Sequence, residues 1–398
     1  MKVLYLCPLI PALSGSGGKR AVYNHLTALA SSPGLSIDAV AIDEEGSGEA
    51  WPADLDFISS RVYPRALPRF RSGVRGAVSA VAQLLSSPVP RSVAVMKSKP
   101  AIEEIKSLLS GGGYDLIVVD LLKAYALIDE LDIQVPIIYL AHNVEATIHV
   151  DQWRSSSLWS IRRWFAAVEF LKTRHYENRL LKAATRIVAI SSEDMRSGVF
   201  KKFSDKLYCW PELPVPQQRQ WAYRGTKDIL FVGSAKYFPN KDAIEWLVNE
   251  LMPRINRLDP GVHLKVVGCN REDVAAAGGG GNTEFLGFVS HDVLLALHLT
   301  SDLFISPVVL GSGIKIKVLE ASACGMPIAA TGESLRGVEY LDGIACRIER
   351  NADSAAHSIV KLLNSPEALM GMHRGISAAL QLATRQRQSL GSLLVHSL

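Results

Sequence analysis

The sequence predicts two doubly wound α/β domains, and three observations carry that prediction. Short apolar runs alternate with helical patterns along most of the 398 residues. The runs are continuously apolar rather than alternating with polar residues, as in parallel strands buried on both faces. A stretch with three prolines, 204–228, then divides the chain into two halves of similar pattern.

Taken in order, the first-half strands are Lys2–Leu6, Ile37–Ile42, Leu116–Asp120, Pro136–Leu140 and Arg186–Ile190. The second half repeats the scheme with Ile229–Val232, His263–Val267, Thr283–Leu286, Leu303–Ser306 and Pro327–Ala330. Helical periodicity falls on Arg20–Ala30, Trp159–Lys182, Asp242–Arg257 and Ile314–Cys324. The expected organisation is a first Rossmann-like domain over 1–204, a second over 205–365, and a helical tail over 366–398. The four glycines Gly278–Gly281 read as a turn. Two such sheets joined by one linker are expected to face each other across a cleft, with ligands at the carboxyl ends of the strands.

Composition narrows the function. With 48% hydrophobic and 21% charged residues the chain is neither disordered nor fibrous. Lys and Arg number 43 against 39 Asp and Glu, a net charge of +4, too small for a nucleic-acid binder. Five scattered cysteines with no Cys-x-x-Cys pair argue against a disulfide framework or a zinc site and for a reducing cytoplasm. Cys7 and Cys324 read as small core residues. The apolar start is interrupted by Pro8 and Pro11, so it reads as a buried strand rather than a signal peptide. No run reaches the roughly 18 apolar residues of a membrane span.

The sharpest local signal is Ser306–Gly325, SPVVLGSGIKIKVLEASACG, a strand, a glycine-rich loop and a helix that Gly325 ends. Glycines allow close backbone approach, and the free N–H groups at Gly313, Ile314 and Lys315 coincide with the positive end of the helix dipole. Lys315 and Lys317 add charge beside this anion site. Lys317 and Glu320 share a helix face, so one can meet phosphate while the other accepts from a sugar diol; an ordinary surface ion pair is the competing explanation.

Four further clusters stand at strand ends. Ser14–Lys19, SGSGGK, resembles a phosphate cradle but has neither Walker nor dinucleotide spacing, and a plain turn is as good an account. His142, in Ala141–Glu145 (AHNVE), could donate to or polarise a substrate hydroxyl, or simply be structural. In Phe231–Asp242, FVGSAKYFPNKD, Gly233 permits close approach, Lys236 and Lys241 can meet an anion, and Asn240 is a candidate helix cap. Two basic stretches, 61–75 and 152–174, the second also rich in aromatics, suit an anionic membrane surface or, equally, helices with solvated arginines.

Together these motifs resemble a retaining glycosyltransferase of family 4 (glycosyl transferases group 1) with the GT-B fold, over nearly the whole chain. FVGSAKYFPNKDAIEWL, LGFVSHDVLLALHLTSDLFISPV and GSGIKIKVLEASACGMPIAAT follow that family's order and spacing, and HNVE and YENRLLKAATRIVAIS add the first half. The resemblance implies that Glu320 holds the donor ribose and that Gly313 and Ile314 meet its diphosphate. It places Lys241 and Lys317 where positive charge faces that diphosphate, and His142 near the reacting sugar carbon. It implies that Gly17 and Gly18 form the loop beneath the phosphates and acceptor, and that Phe288 and Val289 fall where the chain passes the base. It also implies that 366–398 returns onto the first domain. The chain departs from the family where Ser312 replaces the first glutamate of E-x7-E, Ser234 replaces an arginine, and Pro211–Pro214 replaces an Asn-Gly-Val-Asp turn.

The expected activity is metal-independent transfer of a sugar, with retention, from a UDP- or GDP-type donor to a saccharide, lipid-linked or small-molecule acceptor. No cofactor, metal or nucleic acid is expected, and no Asp-x-Asp in a suitable context is found. The expected location is the cytoplasm, with peripheral contact to the inner membrane face. A non-catalytic nucleotide-sugar-binding protein and a nucleotide-sugar epimerase remain as alternatives on the same scaffold.

Overall fold

The computed structural model describes residues 1–12, 17–44, 46, 48–66, 87–155, 160–274, 282–311, 313–387 and 389–395. They form two compact units, one comprising Met1–Glu212 with the short helix at the end of the chain, the other Leu213–Arg387.

The first unit carries seven strands: β1 (Lys2–Cys7), β2 (Ser36–Asp43), β3 (Ser59–Pro64), β4 (Leu116–Asp120), β5 (Ile137–Ala141), β6 (Arg186–Ala189) and β7 (Leu207–Cys209). All pairs are parallel, in the order β3-β2-β1-β4-β5-β6-β7. Because side chains alternate across a strand, β1 sends Val3, Tyr5 and Cys7 into one core and Leu4 and Leu6 into another on the opposite face. The sheet is buried on both sides, which is why its strands read as unbroken apolar runs.

The second unit repeats the design with β8 (Asp228–Val232), β9 (His263–Val267), β10 (Thr283–Gly287), β11 (Leu303–Ser306), β12 (Ile328–Ala330) and β13 (Cys346–Arg347). These are again all parallel, ordered β10-β9-β8-β11-β12-β13. Each sheet has one place where the strand order reverses direction: between β1 and β4 in the first, and between β8 and β11 in the second.

Three strands escape the sequence reading. β3 lies in a basic stretch with no apolar alternation, β13 is two residues long, and β7 falls inside the stretch read as linker. Trp210, 2% exposed, anchors the end of β7 in the first unit's core, so packing outweighs the local prolines there. The helix expected over Asp242–Arg257 begins earlier, at Phe238, with Pro239 in its first turn, and passes through a π turn at Leu247–Leu251 ahead of Pro253. Proline has no N–H for the usual bond one turn back, and the wider turn accommodates that gap.

Of the tail, the helix Pro366–Gln386 places Leu369 and Ile376 in the core of the second unit. The helix Leu390–Val395 instead packs Leu390 and Leu393 into the first unit, where Arg186 Nη1 donates to the Leu393 carbonyl at 2.7 Å.

Phe231, on β8 and 1% exposed, fills the centre of the second core. Phe231→Ala is expected to destabilise that unit by about 3–5 kcal/mol. Urea unfolding checks this, and a loss under about 1 kcal/mol would show that the core tolerates the void.

Candidate active site

In a parallel sheet the crevice for ligands opens at the carboxyl ends of the strands flanking the order reversal. In the second unit those ends are Gly233–Lys236 after β8 and Pro307–Lys315 after β11. Gly233 packs tightly: a Cβ there would lie 2.8 Å from Asn240 Cγ. Asn240 is not the helix cap that the sequence suggested. The cap position is Tyr237, and Asn240 Nδ2 instead donates to the Ser234 carbonyl at 3.2 Å, tying down the loop. Ser234 Oγ in turn accepts from the Lys236 N–H at 3.3 Å.

The loop after β11 turns through Gly311 and Gly313 at φ of 89° and 78°, conformations that L side chains rarely adopt. At Gly311 there is also no room, since a Cβ would meet Tyr237 Oη at 2.7 Å. Lys315 bends back over this loop. Its Nζ donates to the carbonyls of Gly311 at 2.8 Å and Gly313 at 3.0 Å and sits 3.4 Å from Glu333 Oε1. The Lys315 ammonium, expected to add charge beside the anion site, is therefore turned onto the carbonyls of its own loop. Lys317 lies 3.0 Å from Glu320 Oε2 and is about one-third exposed. A buried knot below fixes the loop from beneath: Ser306 Oγ donates to Ser334 Oγ at 2.9 Å, and Thr331 and Ser334 both donate to the Val308 carbonyl.

Other predicted positions are distributed around this edge. Lys241 faces Glu245 at 3.9 Å. Phe288 is 71% exposed after β10, with Lys236 Nζ 5.9 Å from its ring centre, whereas Val289 packs against the core. Ile314 also packs against the core. Ser312 lies outside the described residues.

In the first unit the order reversal lies between β1 and β4, and it holds a cluster that sequence reading did not assemble. Asp120, the last residue of β4, is fully buried. Its Oδ1 faces His142 Nε2 at 2.5 Å, just past the end of β5. Its Oδ2 accepts from Tyr5 Oη on β1 and faces His25 Nδ1 at 2.9 Å. His25 sits on the helix Gly17–Ala30, whose first turn is Gly17 and Gly18. Its Nε2 lies 3.5 Å from Glu212 Oε2, and Glu212 Oε1 accepts from Asn24 Nδ2 at 2.6 Å. Of these residues His142, Gly17 and Gly18 were singled out from the sequence, whereas Tyr5, His25, Asp120 and Glu212 were not. The available signal was periodicity: His25 shares the buried helical stripe of Ala21, Val22, Leu26 and Leu29.

Burial opposes charge on Asp120, yet the two histidines outweigh it and hold the carboxyl well below the usual range. Burial likewise works against a His25 cation. The Asp120 charge and hydrogen bond, with Glu212, prevail and raise its pKa to about 10. Nearby, burial pushes Glu177 up to about 8, while it accepts from the Glu145 N–H at 2.9 Å and so pins the turn after His142.

Among the described residues, His25, Asp120 and His142 form a group whose ligand atoms lie within 4.8 Å of one another. The contacts of 2.5 and 2.9 Å are hydrogen-bond distances. A metal held at about 2.0–2.2 Å from each ligand requires wider separations. The donor set as arranged is a proton network. Of the two basic stretches, 67–75 and 156–159 lie outside the described residues. In the rest, Arg61 pairs with Glu104 at 2.7 Å, Arg163 covers the Trp153 ring at 3.8 Å, and Trp164 and Leu171 are 71% and 64% exposed. No described helix is long and apolar enough to cross a membrane.

Residues 226–365 match the family model described as Glycosyl transferases group 1. No curated protein matches the chain by sequence at a significant level. Solved structures do resemble it. Sucrose-phosphate synthase from Thermosynechococcus elongatus is 14% identical, with a TM-score of 0.68 covering 100% of this chain and 97% of its own. Anabaena HepE in complex with UDP and glucose is 14% identical, with a TM-score of 0.62 and coverage of 100% and 99%. The α,α-trehalose-phosphate synthase (UDP-forming) of Burkholderia vietnamiensis is 13% identical, with a TM-score of 0.61 and coverage of 100% and 99%. The fold is GT-B, as the motifs suggested. The match of residues 226–365 agrees with the glycosyltransferase class read from the motifs.

The buried pair makes stability depend on pH in a defined direction. The folded-state pKa of His25 exceeds its ordinary 6.5, so its contribution is complete below about 6.5 and is lost as pH rises through about 10. The groups facing it are Asp120, Glu212, His142 and Tyr5. Urea midpoints across that range are expected to fall less steeply in His25→Gln than in the wild type. Parallel curves would show that His25 does not carry the charge.

Proposed function

We propose that the chain is a retaining, metal-independent glycosyltransferase of family 4, using a UDP- or GDP-type sugar donor and a saccharide, lipid-linked or small-molecule acceptor. The observation that carries this reading is the β11 loop and the helix after it. A glycine-rich turn braced by Lys315, a helix start and the Lys317–Glu320 pair together form a site for a diphosphate beside a diol. The HepE structure, in complex with UDP and glucose, supports a nucleoside-diphosphate donor.

In the reaction the bond between the anomeric carbon and the diphosphate oxygen breaks, and its electron pair remains on the diphosphate. The acceptor oxygen bonds to the same carbon on the same face, and its proton passes to the departing phosphate. Lys317, Lys241 and the helix N–H groups stabilise the charge that develops. Glu320 accepts from the ribose hydroxyls, Phe288 offers an exposed face near the base, and His142 meets the transferred sugar. Exposed Trp164 and Leu171, alongside Arg163 and Arg174, suit peripheral contact with an anionic membrane face, consistent with a lipid-linked acceptor in polysaccharide biosynthesis on the cytoplasmic side.

Incubation with a panel of nucleotide sugars, following UDP or GDP release, tests the proposal. Lys317→Ala and Glu320→Ala are each expected to lower turnover by about 100-fold or more with the fold intact. Undiminished release and transfer in both variants would refute the assignment of the loop.

A further inference from the structure

We propose that His25 is a positioning residue: with Tyr5 it fixes the Asp120 carboxylate so that Asp120 accepts a hydrogen bond from the Nε2–H of His142, leaving Nδ1 as the ring nitrogen that meets a sugar hydroxyl. The inference rests on the glycosyltransferase reading for its substrate, but its geometry stands within the first unit alone.

Asp120 is completely buried, and a carboxylate there needs partners on both oxygens. Oδ2 receives Tyr5 Oη and His25 Nδ1, two donors from two different elements. Two donors on one oxygen stop the carboxylate from turning, so Oδ1 has a single direction, towards His142 Nε2 at 2.5 Å. An ionised carboxylate only accepts, so this contact requires a proton on Nε2. The neutral ring then carries its lone pair on Nδ1. His142 therefore accepts from a hydroxyl, the opposite of the donor role first considered from sequence. It becomes a donor there only as the imidazolium.

His25 cannot take part directly. It is fully buried, its ring packs edge-on against His142 at 5.0 Å and against Trp210 at 5.4 Å, and its second nitrogen faces Glu212. Whatever it contributes to turnover must pass through Asp120. Glu212, in the loop after β7, and Asn24 extend the chain of contacts, so the orientation of one ring is set by residues on three elements and that loop.

The test uses the full chain labelled with ¹⁵N-histidine. Ring-nitrogen NMR is expected to show His142 as the Nε2–H tautomer in the wild type, and a mixture of tautomers in His25→Leu. Turnover is expected to fall in the order wild type, His25→Gln, His25→Leu, by up to about 100-fold. Donor KM and the thermal shift given by UDP are expected to stay unchanged. His25→Gln keeps one donor for Asp120, so partial retention is the signature of positioning. Should His25→Leu fail to fold, His25→Gln and Tyr5→Phe carry the comparison. An Nδ1–H tautomer in the wild type, or activity that falls only with the folded fraction, overturns the proposal. If no donor supports transfer, the functional reading fails while the tautomer measurement still decides the role of His25.

Discussion

A parallel sheet delivers the carboxyl ends of all its strands to one edge, and the polar groups gathered there must be satisfied by whatever the loops bring. The candidate sites of both units follow from that constraint. In each unit the strand order reverses once, and at that place neighbouring loops diverge and leave a crevice. The first unit places Tyr5, Asp120 and the helix Gly17–Ala30 there; the second places Gly233 and the Gly311–Lys315 loop.

The two edges answer the constraint differently. The first closes its charges inside: His25 lies between Asp120 and Glu212 in a region with almost no solvent, where each hydrogen bond is stronger and each unpaired group more costly. The second leaves Lys317 partly exposed and turns Lys315 onto backbone carbonyls instead. Lys315 donates to the carbonyls of Gly311 and Gly313 and so braces its own loop.

Much of this was legible in the sequence. Ten strands and the repeat of one design in two halves follow from unbroken apolar runs, which only a doubly covered parallel sheet requires. The glycine-rich loop and the Lys317–Glu320 spacing were equally visible, because both are local. The rest was not. β7 and β13 are too short to carry a period, and Trp210 is held by packing that no window of sequence displays. Lys315 and Lys317 look alike in sequence, and only the fold shows that one faces inwards. Asp120 reads as the end of a strand, and its partners lie 22, 95 and 115 residues away.

That separation bears on how such a site could arise and persist. A histidine on the apolar stripe of a helix is costly unless something buried accepts from it, and Asp120 is costly unless something buried donates to it. Each residue removes the other's penalty, so changing either alone leaves an uncompensated group in the core. His142, at the rim of the same network, inherits a fixed ring orientation from this mutual dependence. Structural necessity in the core thereby becomes geometric precision in the His142 ring, although Asp120 and His25 themselves stay fully buried.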